Sequence, residues 1–269
     1  MSRENFPVAL RVLPVGVRTD LRALYRFARW VDDVGDELPG DRVAALEEVR
    51  RDLRRLYDDG TARIPEVAGL ATTVLRRRLP LQPFDDLVEA NLVDQHRTRY
   101  DSFDDLLDYC RLSANPVGRL VLAVFDQATP DLLPLSDSVC TGLQLVEHWQ
   151  DLREDYVNGR VYLPQEDLCR FGVAEAELGG RRADRPLRDL VRFETGRALD
   201  LLAAGDRLVA ALRGWGRLAV AGYVAGGRAA ARILERQDYD PLGEVAKPSV
   251  GSLLAAAVPR GARGPAWAR

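Results

Sequence analysis

Two short acidic clusters carry the residues best suited to chemistry: Asp32-Asp33-Val34-Gly35-Asp36 and Asp151-Leu152-Arg153-Glu154-Asp155. In each, two aspartates stand four residues apart, so on a helix their side chains share one face, one turn apart. Hard divalent cations such as magnesium take oxygen ligands and commonly bind through one or two carboxylates plus substrate phosphate oxygens. Two opposed acidic helices could therefore hold magnesium around a diphosphate and neutralise the charge that develops as the diphosphate leaves. Arg29 and Arg160 could add bidentate phosphate contacts.

The competing reading is that such pairs lie on solvated helix faces and bind nothing, since like charges at this spacing are common and cost little. Placement argues against it. Asp32 and Asp36 continue a polar line through Tyr25 and Arg29 that runs beside the apolar stripe Val17, Leu21, Leu24, Ala28 and Val31, about 100° round the helix. The second cluster extends past Gln144, Glu147 and Glu154, beside the apolar positions Val139, Leu143 and Val146. Both clusters thus belong to the rims of buried faces, from which two helices could face each other across a cavity.

The rest of the chain reads as helix almost throughout. Segments are expected near 63–79, 84–98, 103–127, 136–158, 187–213 and 216–237, besides the helix of the first cluster and one following the Pro39-Gly40 break. In that second helix Val43, Leu46, Val49, Leu53 and Leu56 keep helical spacing. Asp41 and Ser102 stand where N-caps are useful, and Pro83 suits a helix start. Ser113-Ala114-Asn115-Pro116-Val117-Gly118 interrupts a helical stretch and reads equally as a kink or as a loop. No segment alternates as a strand does. The expected class is all-α, a single-domain helical bundle around a central cavity, spanning 1–246, with a tail at 247–269 expected to be partly disordered.

Composition narrows the function. The chain has 269 residues, 46% apolar and 29% charged, enough for a sizeable core. A net charge of −3, without any basic block free of acidic neighbours, argues against nucleic acid as a partner. Lys247 is the only lysine; arginine supplies the other positive charges. Cys110, Cys140 and Cys169 show no metal-ligand spacing and fit a reduced, cytoplasmic protein with cysteines as small core residues. The start of the chain lacks an apolar signal region, and Leu218 to Leu234 is too short and too charged to span a bilayer. Peripheral contact with the inner face of the membrane stays open. His96 reads as a surface residue, His148 as a structural histidine near the second cluster, Trp149 and Trp215 as core or pocket wall, and Trp267 as part of the tail.

The motifs together resemble the squalene and phytoene synthase family over nearly the whole chain. The run from Ala23 to Glu37, ALYRFARWVDDVGDE, is similar to its first aspartate motif. Gln150-Asp151-Leu152-Arg153-Glu154-Asp155, followed by Gly159-Arg160-Val161-Tyr162-Leu163-Pro164, is similar to the second. The run Tyr109-Cys110-Arg111-Leu112-Ser113-Ala114-Asn115-Pro116-Val117-Gly118 resembles the kinked central helix that borders the family's pocket. Glu4-Asn5-Phe6-Pro7-Val8-Ala9 and the phrase from Gly159 to Leu168 resemble the branch found in bacterial hopanoid pathways, the hydroxysqualene synthases.

The resemblance implies an isoprenoid synthase-type bundle and roles for matching positions. Asp32, Asp36, Asp151 and Asp155 would hold magnesium (Mg2+) and the diphosphate, supported by Asp33 and Glu154. Tyr25, Arg29, Arg160 and Tyr162 would act at the reacting end. Phe6, Tyr109, Asn115 and Gln144 would shape the substrate pocket. Glu147 departs from the family, which usually has Asn there; as an extra carboxylate it could still bind metal or change the number or placement of the ions. The implied reaction is ionisation of presqualene diphosphate and capture of the cation by water, giving hydroxysqualene and diphosphate. A presqualene diphosphate synthase and a hydroxysqualene reductase would be pathway partners. The alternatives are head-to-head condensation of farnesyl or geranylgeranyl diphosphate, and a non-catalytic assembly factor on the same fold. No strand followed by a glycine-rich fingerprint offers a nicotinamide site, which is weak evidence against a reductive finish.

Overall fold

The computed structural model describes residues 12–243, so the readings placed on Phe6, on the other residues before Val12 and on the tail beyond Lys247 lie outside the described residues. Among the described residues no strand forms; a single isolated bridge joins Arg99 to Val161. The helices are α1 (Val15–Asp36), α2 (Arg42–Asp59), α3 (Pro65–Ala68), α4 (Ala71–Arg77), α5 (Gln82–Val93), α6 (Phe103–Ser113) and α7 (Asn115–Val124). They continue as α8 (Leu133–Gln150), α9 (Leu152–Val157), α10 (Gln165–Phe171), a 3₁₀ turn at Glu175–Gly179, α11 (Arg185–Leu202), α12 (Ala204–Ala211) and α13 (Gly214–Arg236).

Local chemistry sets several boundaries as the sequence predicts. The Asp41 carboxylate accepts from the Ala44 N–H at the start of α2, Ser102 and Asp105 form a capping box on α6, and Pro83 sits in the first turn of α5. Other expected helices are divided. The stretch 63–79 becomes α3 and α4, 136–158 breaks at Asp151, and 187–213 breaks at Ala203. Helix α10 and the 3₁₀ turn have no counterpart in the periodicity reading.

The interruption at Ser113–Gly118 resolves as a kink. Ala114 alone separates α6 from α7, and Pro116 occupies the first turn of α7. Asn115 is buried, and its Oδ1 accepts from the Thr141 hydroxyl at 2.9 Å, tying the kink to α8.

Two apolar clusters form the core. One gathers α1, α2, α4, α5 and α7 around Leu21, Phe27, Leu46, Leu53 and Phe84. The other gathers α6, α8, α11, α12 and α13 around Leu106, Leu145, Trp149, Leu190 and Leu202. Helices α5 and α7 contribute to both and so join them. Two side chains expected inside lie outside: Cys169 is exposed on α10, and Trp215 is 46% exposed at the start of α13. Trp149 is fully buried, and His96 is exposed as expected. Among the described residues no helix is long and apolar enough to cross a membrane.

Candidate active site

The two acidic clusters meet. A cleft of about 830 Å³ is lined by Tyr25, Arg29, Asp36 and Glu37 from the α1 side, and by Asp151, Glu154, Asp155, Asn158 and Arg160 from the other, with Arg42 at its edge. Helix α1 buries Leu21, Leu24, Phe27, Val31 and Val34, so its neighbouring line Tyr25–Arg29–Asp36 is left on the cleft wall. Gly35 lets α5 come close: a Cβ there would stand 2.3 Å from Asn91 Oδ1. The Asn91 amide in turn donates to Asp32 at 3.1 Å, so Asp32 is turned toward α5. Arg29 reaches Asp33 at 2.7 Å.

The opposite wall is built by the end of α8, by α9 and by the segment 158–164. Asp151 is the junction residue rather than part of one continuous helix, yet Asp155 N–H still donates to its carbonyl at 2.9 Å. The i, i+4 relation of the two aspartates therefore survives the break. Gly159 takes φ +85°, a left-handed turn open to glycine, and the chain reverses after it. The following residues are pinned to the 98–101 segment by Val161 N–H to Thr98 O at 2.9 Å and Gln165 N–H to Tyr100 O at 2.9 Å. Arg99 reinforces the turn by donating to the Gly159 carbonyl at 2.6 Å. These bonds aim Arg160 across the cleft, where it meets Asp36 at 2.5 Å. One ion pair thus bridges the two halves of the site.

The electrostatics are those of carboxylates brought close together. Burial, with the repulsion of Asp36 and Asp94, lifts Asp32 to about 6 against the opposing Asn91 hydrogen bond and Arg29. Asp94, at the end of α5, is also pushed to about 6, mainly by burial. Its Oδ2 accepts from the Tyr109 hydroxyl at 2.7 Å, while its Oδ1 is buried without a hydrogen-bond partner. The Arg160 guanidinium is held in its charged form, the pull of Asp36, Tyr162 and Asp94 outweighing desolvation.

Behind the cleft lies an aromatic wall. Tyr162 stacks on His148 with ring centroids 3.7 Å apart and packs 5.7 Å from Tyr109. A separate apolar pocket of about 200 Å³ is lined by Val117, Val121, Val139, Leu143, Leu208 and Tyr223, with Gly118 and Cys140 among its other walls. Helix α8 serves both spaces. Leu143 lines the apolar cavity and Asp151 the cleft, about 12 Å apart at the helical rise.

Of the residues expected from the sequence, Tyr25, Arg29, Asp36, Asp151, Glu154, Asp155 and Arg160 line the cleft. Asp32, Asp33, Tyr109, Tyr162 and Gln144 stand around it through the contacts given above and Gln144–His148 at 3.2 Å. Glu147 is half-buried on α8, one turn before Asp151. Asn115 lies at the kink, held by Thr141. Glu37, Arg42, Asn91, Asp94 and Asn158 were not singled out from the sequence. Asp94 and Asn91 belong to a helix whose own pattern gives no acidic motif; only the packing of α5 against α1 reveals them. Among the described residues no three His, Cys, Asp or Glu side chains converge on a metal cage. The donor set nevertheless fits magnesium, because carboxylate oxygens on two walls leave coordination positions for water and diphosphate oxygens.

The chain matches the squalene/phytoene synthase family over residues 2–252. It is 35% identical to the hydroxysqualene synthase of Sinorhizobium fredii over 218 residues, covering 79% of this chain and 73% of that protein. It is 32% identical to the phytoene synthase of Mycobacterium tuberculosis over 213 residues, covering 77% and 70%. The crystal structure of squalene synthase HpnC from Alicyclobacillus acidocaldarius superposes with a TM-score of 0.78 at 41% identity, over 84% of this chain and 86% of that one. A ligand-bound dehydrosqualene synthase superposes with a TM-score of 0.81 at 25% identity, over 91% and 86%.

Proposed function

From the premise that this chain belongs to the squalene/phytoene synthase family, we propose that it is a magnesium-dependent hydroxysqualene synthase of squalene and hopanoid biosynthesis. The observation that carries this reading is the cleft with an acidic cluster on each wall, bridged by Arg160 and Asp36, beside an apolar cavity served by the same helix. The hydroxysqualene synthases among its relatives support the choice of branch.

Presqualene diphosphate would place its diphosphate between the two clusters, with Arg29 and Arg160 contacting phosphate oxygens. Asp32, Asp36, Asp151 and Asp155 would hold magnesium, which when bound supplies Lewis-acid stabilisation of the leaving diphosphate. Tyr109 and Tyr162 would present π faces to the cyclopropylcarbinyl cation and keep bulk water from it. The rearranged cation is then captured by one water to give hydroxysqualene. The substrate would come from a presqualene diphosphate synthase and the product would pass to a reductase. The working place would be the cytoplasm, with contact at the inner membrane face where these hydrophobic molecules reside.

The test is to incubate purified protein with presqualene diphosphate and magnesium, without nicotinamide. Hydroxysqualene and diphosphate should appear in equal amounts, and chelation should stop both. Release of neither would overturn the proposal. Phytoene synthases among the relatives support a second reading, head-to-head condensation. Product analysis with farnesyl and geranylgeranyl diphosphates separates the two.

A further inference from the structure

Cys140, Gln144 and His148 descend one face of α8 at four-residue spacing, and Asp151 caps the helix three residues further on. Cys140 lines the apolar cavity and Asp151 the acidic cleft. Gln144 and His148 therefore lie between the two spaces along α8, where the head and the hydrocarbon of a bound prenyl diphosphate would meet. That is where a cationic carbon would form.

His148 is 7% exposed, and the Tyr162 ring covers one face at 3.7 Å with 17° between the planes. Its Nε2 lies 3.2 Å from Gln144 Nε2. An amide NH₂ can only donate, so in the neutral ring Nε2 accepts and the proton sits on Nδ1. Nδ1 faces Asp155 Oδ2 at 3.8 Å, too long for a direct hydrogen bond and a span that a water touching both groups can close. Among the neighbouring side chains, Leu143 is apolar, the Tyr109 hydroxyl is committed to Asp94 at 2.7 Å, and the unpartnered indole N–H of Trp149 is fully buried and can only donate.

We propose that His148 and Gln144 hold the water that captures the cation, and so decide that the product is an alcohol. The inference rests on the water-capture reading above. The C–O bond to the diphosphate breaks, its electron pair leaving on the phosphate oxygen. The water accepts from His148 Nδ1–H, donates to Asp155, and spends its remaining lone pair on the new C–O bond. The extra proton of the resulting oxonium passes to the released diphosphate, so charge and atoms balance. Without the held water, the cation loses a proton instead and a hydrocarbon results.

The experiment compares the product ratio, alcohol against hydrocarbon, from presqualene diphosphate and magnesium for the wild type, His148→Phe, His148→Asn and Gln144→Leu. His148→Phe keeps a ring on Tyr162 and removes both ring nitrogens. Its alcohol share should fall about tenfold, the scale of one lost hydrogen bond, whatever the overall rate. His148→Asn should recover part of it, and Gln144→Leu should resemble His148→Phe. Should His148→Phe fail to fold by circular dichroism, Gln144→Leu and His148→Asn carry the same comparison. A wild type that makes alcohol, with variants that keep its share, overturns the water-holding role alone. A wild type that makes no alcohol overturns the water-capture reading and this inference with it.

Discussion

Two groups of carboxylates in this bundle differ in what meets their oxygens. Asp20 and Asp52 are completely buried, and every side of them is met. Asp20 accepts from Thr73 at 3.1 Å and Arg77 at 2.7 Å and pairs with Arg76, fastening α1 to α4. Asp52 accepts from the backbone N–H groups of Arg63 and Ile64, both at 3.0 Å or less, and pairs with Arg55. The cleft carboxylates differ: Asp36 keeps 45% of its side-chain surface and Asp155 keeps 24%. A buried carboxylate must be saturated or it destabilises the fold. A carboxylate that is to serve a ligand must keep oxygen surface to offer.

The contrast can be broken from either side. Asp20→Ala should have the largest effect on stability, about 3 kcal/mol in urea unfolding, because it leaves the buried Thr73 hydroxyl and the largely covered Arg77 guanidinium without their acceptor. Asp36→Ala and Asp155→Ala should leave the unfolding midpoint nearly unchanged and lower diphosphate release by about 10²–10³-fold, the loss typical of a preorganised electrostatic contact. A cleft variant that unfolds like Asp20→Ala would erase the distinction.

Glu194 sharpens it further. It is fully buried beside Asp167 and Arg197, and one carboxylate oxygen has no hydrogen-bond partner. Burial first, then Asp167, raises it to about 8 from its ordinary 4.5, against the pull of Arg197. The folded state therefore holds this proton more tightly than the unfolded chain. The resulting stability is full below about pH 4.5 and is lost as pH rises through about 8. Glu194→Gln, which cannot ionise, should gain progressively in melting temperature relative to the wild type between about pH 5 and pH 8, and no further above that. Parallel melting curves across that range would show that the proton is not held. This effect separates a buried carboxyl kept neutral from the saturated carboxylates Asp20 and Asp52.

Much of the architecture was legible in the chain because it is local. Apolar spacing in α1 and α2, the Asp41 and Ser102 caps and the proline at α5 depend on neighbours within one or two turns. The break at Asp151 was not legible, since apolar spacing runs through it and the helical hydrogen bond from Asp155 persists. Cys169 and Trp215 were placed inside because residue type favours burial, and packing among the described residues leaves both on exposed helix faces.

The site divides in the same way. Helical phase relates each acidic cluster to its apolar stripe, so the rim positions of Asp32, Asp36 and Asp155 follow from the chain alone. Packing adds that the rims face one another, that Asp151 sits at a break, that Arg160 closes on Asp36, and that Asp94 joins the site from the end of a third helix. These contacts join residues 59 to 124 positions apart, as in Asn91 to Asp32 and Arg160 to Asp36. No periodicity encodes such separations; they follow from how the two apolar clusters pack around α5 and α7.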